Sequence, residues 1–121
     1  MRFLVVLAIA FAPMAMAQDG LRETDVKLNE IELTVLLSGQ VIAFYNDSFA
    51  TYLPDGEYLY NYSAEAAPVP GVYRVKDDGS VCTEFANGFS RCDFIVRAGE
   101  RYVMIIANGD RYPIRTRTAI K

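Results

Sequence analysis

Val81-Cys82-Thr83-Glu84-Phe85-Ala86-Asn87-Gly88-Phe89-Ser90-Arg91-Cys92-Asp93 reads as one β-hairpin, and its pairing decides how the rest of the chain is read. Asn-Gly between two runs rich in β-branched and aromatic residues is the strongest short-range signal for a hairpin turn. Two registers are open. A three-residue loop with Gly88 left-handed in a bulge puts Phe85 opposite Phe89 and, three pairs back, Cys82 opposite Cys92. A two-residue Asn-Gly turn slips the pairing and puts Cys82 opposite Asp93. Two cysteines able to bridge across one hairpin select the first. So short a loop limits the chain entropy that the bridge removes, and we expect it to contribute about 2–3 kcal/mol. The spacing lacks the adjacent cysteines and helix terminus that lower a thiol pKa, so the bridge reads as a staple and not as a redox centre.

The same rhythm runs outward in both directions. Candidate strands are Val41–Asn46, Phe49–Leu53, Glu57–Tyr62, Gly71–Lys76, Val81–Phe85, Arg91–Arg97, Arg101–Ala107 and Arg111–Arg115. Between them stand Pro54-Asp55-Gly56, Asp77-Asp78-Gly79, Ala98-Gly99 and Asn108-Gly109, each ending in a glycine that tolerates positive φ. Ser63–Pro70 carries two prolines and little to pack, so it reads as an extended loop. Tyr102–Ile106 is apolar on both faces, the mark of a strand covered on each side. Pro113 cannot donate to a ladder, which places the last strand toward a sheet edge.

One helix precedes the strands. Asn29 suits the N-cap, Glu32 completes a capping box, and Leu28 and Leu33 occupy the positions of a hydrophobic staple. Leu33, Leu36 and Leu37 form one apolar stripe, and Gly39 suits a left-handed cap. The expected fold is mainly β: a curled antiparallel meander or small β-barrel of about seven or eight strands, with one short N-terminal helix and one hairpin disulfide.

Met1–Ala17 has a single Arg2, an apolar run from Phe3 to Phe11 and a small-residue exit at Ala15-Met16-Ala17, the pattern of a secretory signal peptide cleaved after Ala17. The run is too short to span a bilayer. We therefore expect a periplasmic or secreted protein without a membrane span. Residues 18–27 read as a flexible polar N-terminal segment and 28–121 as a single β-rich domain. Two cysteines in an oxidising compartment agree with the hairpin disulfide.

From Gln18 to Lys121 the chain has eleven basic and fifteen acidic residues, a balance that disfavours nucleic acid as a partner. The distribution is uneven: four basic against twelve acidic residues up to Ser90, then seven against three from Arg91 onward. Six of those seven are arginines, at positions 91, 97, 101, 111, 115 and 117, and Arg97, Arg101 and Arg111 form a possible face for an anionic partner. The bland alternative is pairing with the acidic half of the same molecule. Histidine is absent, which excludes His-dependent triads and dyads and His-ligated metal. The Asp-Gly turns lack the further oxygen ligands of a calcium loop, and no cofactor or metal site is expected.

Tyr58, Tyr60 and Tyr62 alternate along one strand and so share a face, a possible ligand platform or simply the half-buried side of a small sheet. Glu57, Glu84, Asp93 and Glu100 are the carboxylates open to acid–base work, but no pair can be made to converge from sequence. Asn46-Asp47-Ser48 and Asn61-Tyr62-Ser63 match the glycosylation sequon, which matters only in a eukaryotic secretory route.

Leu37-Ser38-Gly39, Pro54-Asp55-Gly56, Gly71-Val72-Tyr73, Asp78-Gly79-Ser80-Val81-Cys82, Asn87-Gly88 followed by Arg91-Cys92-Asp93, and Asn108-Gly109 with Arg111 together resemble small exported alphaproteobacterial proteins of unknown function. The resemblance implies a curled antiparallel sheet with a helix and one disulfide, and it carries no activity. The reading is of a monomeric, non-catalytic exported binding module for a small ligand or an envelope protein. The alternatives are a structural or stress-related envelope protein without a discrete ligand site and, last, a carboxylate-based hydrolase.

Overall fold

The computed structural model describes residues 20–121; the signal-like segment Met1–Ala17 lies outside the described residues. In chain order the elements are β1 (Val26–Lys27), α1 (Glu30–Leu37), β2 (Gln40–Phe44), β3 (Phe49–Tyr52), β4 (Glu57–Asn61), β5 (Val69–Val75), β6 (Ser80–Phe85), β7 (Ser90–Ala98), β8 (Arg101–Ile105) and β9 (Arg111–Ala119). Strands β2 to β9 run up and down, each antiparallel to its sequence neighbour, and β9 returns to pair with β2. The result is a closed eight-stranded barrel, the arrangement that removes free sheet edges.

The cysteine hairpin adopts the three-residue loop. Cys82 faces Cys92 across β6 and β7, with Cα atoms 4.0 Å apart and the disulfide formed. Phe85 N–H donates to Phe89 C=O at 2.8 Å, and Gly88 is left-handed at φ 92°. The helix also forms as its sequence dictates. Glu32 N–H donates to Asn29 Oδ1 at 2.8 Å, Asn29 N–H donates to Glu32 Oε1 at 3.1 Å, and Gly39 follows at φ 75°. Leu33, Leu36 and Leu37 are buried and enter the barrel from that end. The hairpin turns between β3 and β4, β5 and β6, and β7 and β8 share the helix end. The other four connections, residues 45–48, 62–68, 86–89 and 106–110, surround the opposite end.

Strand alternation assigns the interior. Ile42, Phe44, Tyr52, Tyr58, Val81, Ile95 and Met104 point inward and pack with the three helix leucines. Gly71 on β5 stands in register with both Tyr58 and Phe85, whose rings meet edge to face at 5.7 Å, and a Cβ there would lie 2.5 Å from the Glu84 carbonyl oxygen. Val103 and Ile105 point outward yet are buried, packed with Val96 and covered by Leu21, which explains the doubly apolar sequence of β8.

Two features differ from the sequence reading or refine it. Pro113 is not on an edge strand: β9 pairs with β8 up to Pro113 and with β2 from Ile114 onward. The proline occupies the point where β9 passes from one partner to the other beside a β-bulge at Ala43/Phe44, so its missing N–H interrupts no continuous ladder. The described part of segment 18–27 lies along the barrel wall. Val26 and Lys27 pair with Arg97 and Val96 of β7, and Asp25 accepts two bonds from Arg111, at 2.6 and 3.1 Å. Arg111 donates a further bond to Gly20 C=O at 2.8 Å.

Candidate functional site

The disulfide sets which residues of β7 face the inside. Cys92 points outward, so Arg91 and Asp93, one residue to either side, point into the barrel opposite Thr83 and Val81. There the Arg91 Nε–H donates to Asp93 Oδ2 at 2.9 Å. The Asp93 side chain is only 2% exposed, while that of Arg91 is 28% exposed. The pair is thus stacked along the barrel axis, carboxylate below and guanidinium above. Asp93 Oδ1 is buried and has no hydrogen-bond partner among the described residues.

Electrostatics follow from that burial. Loss of water pushes the Asp93 carboxyl above its usual range, against the pull of Arg91. Burial also opposes the Arg91 charge, but Asp93 outweighs it and the guanidinium stays protonated. The Tyr52 and Tyr58 phenols are pushed upward by burial and remain neutral, and the charge and hydrogen bond of Arg91 offset part of the shift at Tyr58.

Above Arg91 the barrel is open. Two hollows share Arg91, Tyr60 and Tyr62. The larger, of about 260 Å³, is completed by Phe44, Met104, Ile106 and Tyr112, with Asn46 and Ser48 at its rim. The smaller, of about 150 Å³, is walled by Val69, Phe85, Asn87 and Phe89. Tyr60 and Tyr62 meet edge to face at 4.9 Å and stand between the two. The helix-proximal interior is filled by the core described above, so the barrel is a shallow cup and not a through-channel. Two larger hollows, of about 420 and 460 Å³, lie on the outer surface, one over the disulfide and one by Asp47, Glu65 and Arg115. Arg91 also borders the first of these, beside Arg74, Lys76 and Glu84.

The tyrosine strand runs from the core to the mouth. Tyr58 is buried, Tyr60 is half-buried in both hollows, and Tyr62 is 67% exposed at the rim. The arginines are dispersed. Arg111 is held by Asp25; Arg115 and Arg117 donate to the carbonyls of Phe44 and Leu36, each at 3.4 Å. Arg101 donates to the Tyr45 hydroxyl at 3.1 Å with its guanidinium over that ring, and Arg97 is exposed near the helix end. Of Arg97, Arg101 and Arg111, then, Arg111 is held by an ion pair and Arg101 by Tyr45, while Arg97 is exposed. Glu57, Glu84 and Glu100 are exposed, and none joins Asp93 in the interior. Among the described residues no three His, Cys, Asp or Glu side chains are grouped to hold a metal ion, and no helix is long and apolar enough to cross a membrane.

Sequence reasoning missed the Arg91–Asp93 pair, although the signal was present. Once Cys82 faces Cys92, alternation alone puts residues 91 and 93 together on the other face of the strand. Comparison with protein-family models, curated proteins and solved structures finds no match to this chain.

Proposed function

We propose that this chain is an exported, non-catalytic binding module that takes a small ligand in the open mouth of its barrel. The observation that carries this reading is the convergence of Tyr60, Tyr62, Phe44, Phe85 and Tyr112 around the only partly covered Arg91. Apolar walls with a few directed polar groups are the usual make-up of a ligand pocket. A closed barrel with a helix plug supplies a rigid frame, and the disulfide on its outer wall holds the strand that carries Arg91. The bridge also suits an oxidising compartment, which supports export. An envelope protein as the partner is favoured by a different feature: Ile31 and Val35 lie exposed on the outer side of α1.

Native mass spectrometry of the protein recovered from the exported fraction of its own cells tests the reading. A retained small mass, lost on mild activation, is the expected result. A discrete larger complex instead transfers the assignment to a protein partner. A bare chain beginning at Gln18 leaves the structural envelope role as the better account.

A further inference from the structure

We propose that the mouth selects a small monoanion with a flat apolar body, and that Arg91 is the residue that reads its charge. This rests on the mouth being the ligand site. The argument begins with geometry. A guanidinium has five N–H donors in a planar fork. Asp93 takes the Nε donor from below, at 2.9 Å, and thereby fixes the plane of the group. Part of the remaining fork is shared with the buried Tyr58 hydroxyl, and Arg91 lines both hollows of the mouth.

The net charge of the pair is zero, but its exposure is lopsided. Asp93 is 2% exposed and lines neither hollow, whereas Arg91 is 28% exposed and lines both. A ligand entering the mouth meets the positive end of this dipole first, in a site where low local polarity strengthens charge-assisted bonds. The other polar groups that the larger hollow offers are uncharged: Asn46, Ser48 and the tyrosine hydroxyls. Among the described residues no carboxylate lines either hollow, so none there repels an anion. The walls are rings. Tyr60, Tyr62, Phe85 and Phe89 surround the smaller hollow, and Phe44 and Tyr112 the larger, with the last two edge to face at 6.4 Å. Aromatic walls favour a flat apolar body, and one fork over one opening favours a single carboxylate or equivalent oxyanion.

The test titrates ¹⁵N-labelled, disulfide-bonded protein with benzoate and 1-naphthoate, and separately with the neutral isosteres benzamide and 1-naphthamide. Amide shifts centred on Tyr60, Arg91 and Tyr112 are expected, with the acids binding at least tenfold more tightly than the amides. Arg91→Met combined with Asp93→Leu removes both charges without stranding either, and should bring the acids down to the affinity of the amides. Arg91→Lys keeps a charge and a partner for Asp93 but loses the fork, and should weaken the acids several-fold. Equal affinity for acids and amides at the mouth overturns the charge reading while leaving the mouth a ligand site. Shifts confined to the outer surface, or none at all, overturn both.

Discussion

Arg91 and Asp93 sit two residues apart on β7, on the same inward face, and are joined by a 2.9 Å bond inside the barrel. Burying two charges costs desolvation that their attraction only partly offsets, and removing one strands the other. Arg91→Met alone should therefore lower stability by about 3–5 kcal/mol, whereas Arg91→Met with Asp93→Leu should lie close to the parent protein. Denaturant unfolding of both variants decides this. Equal losses in the single and double variants would mean that Asp93 is not held in place by Arg91.

The bridge between Cys82 and Cys92 joins facing residues of adjacent strands that are already hydrogen-bonded, at a sequence separation of 10. Replacing both with serine should leave the barrel formed, because β6 and β7 also pair with β5 and β8. The expected loss is about 2–3 kcal/mol, read as a lower urea midpoint.

Asp25 clamps the N-terminal strap to the barrel through Arg111, and the bond from Arg111 holds its carboxyl below the ordinary value of 3.8. A lowered folded-state pKa contributes stability that is fully present above 3.8 and is lost as pH falls through the folded value. With side chains only 14% and 1% exposed, Arg111 and Asp25 form a buried pair, and Asp25→Asn should cost about 3 kcal/mol at neutral pH. The difference from the parent should shrink toward zero in strong acid, where the aspartate is itself uncharged. Asp93 acts in the opposite sense. Its raised pKa means that stability falls as pH rises from 3.8 to the folded value, so thermal scans of Asp25→Asn against the parent across acid pH isolate the strap.

Leu33 is fully buried where α1 closes the barrel, and Asn29 caps that helix. Leu33→Ala should cost about 3 kcal/mol through the cavity left in the plug, and Asn29→Ala about 1 kcal/mol through the lost capping box. Unfolding midpoints separate the two. A cost for Leu33→Ala no larger than for Asn29→Ala would show that the plug collapses into the space.

The local elements were readable because their causes are local. The capping box, the Asn-Gly loop and the alternation along each strand act between residues a few positions apart, and all appear in the structure as written. Pro113 was misread because its tolerance depends on a handover between β8 and β2, strands that lie on opposite sides of β9. The covering of Val103 and Ile105 by Leu21 was equally out of reach, since it joins residues some eighty positions apart.

By itself, then, the chain determined an antiparallel meander, one capped helix and the cross-strand disulfide, all consequences of short-range geometry. Only the tertiary structure decided that the sheet closes on itself, that the helix fills one end, and that Arg91 stands over Asp93 beneath an aromatic mouth. Closure and burial depend on contacts between distant strands, and it is burial that turns two ordinary charged residues into a directed site.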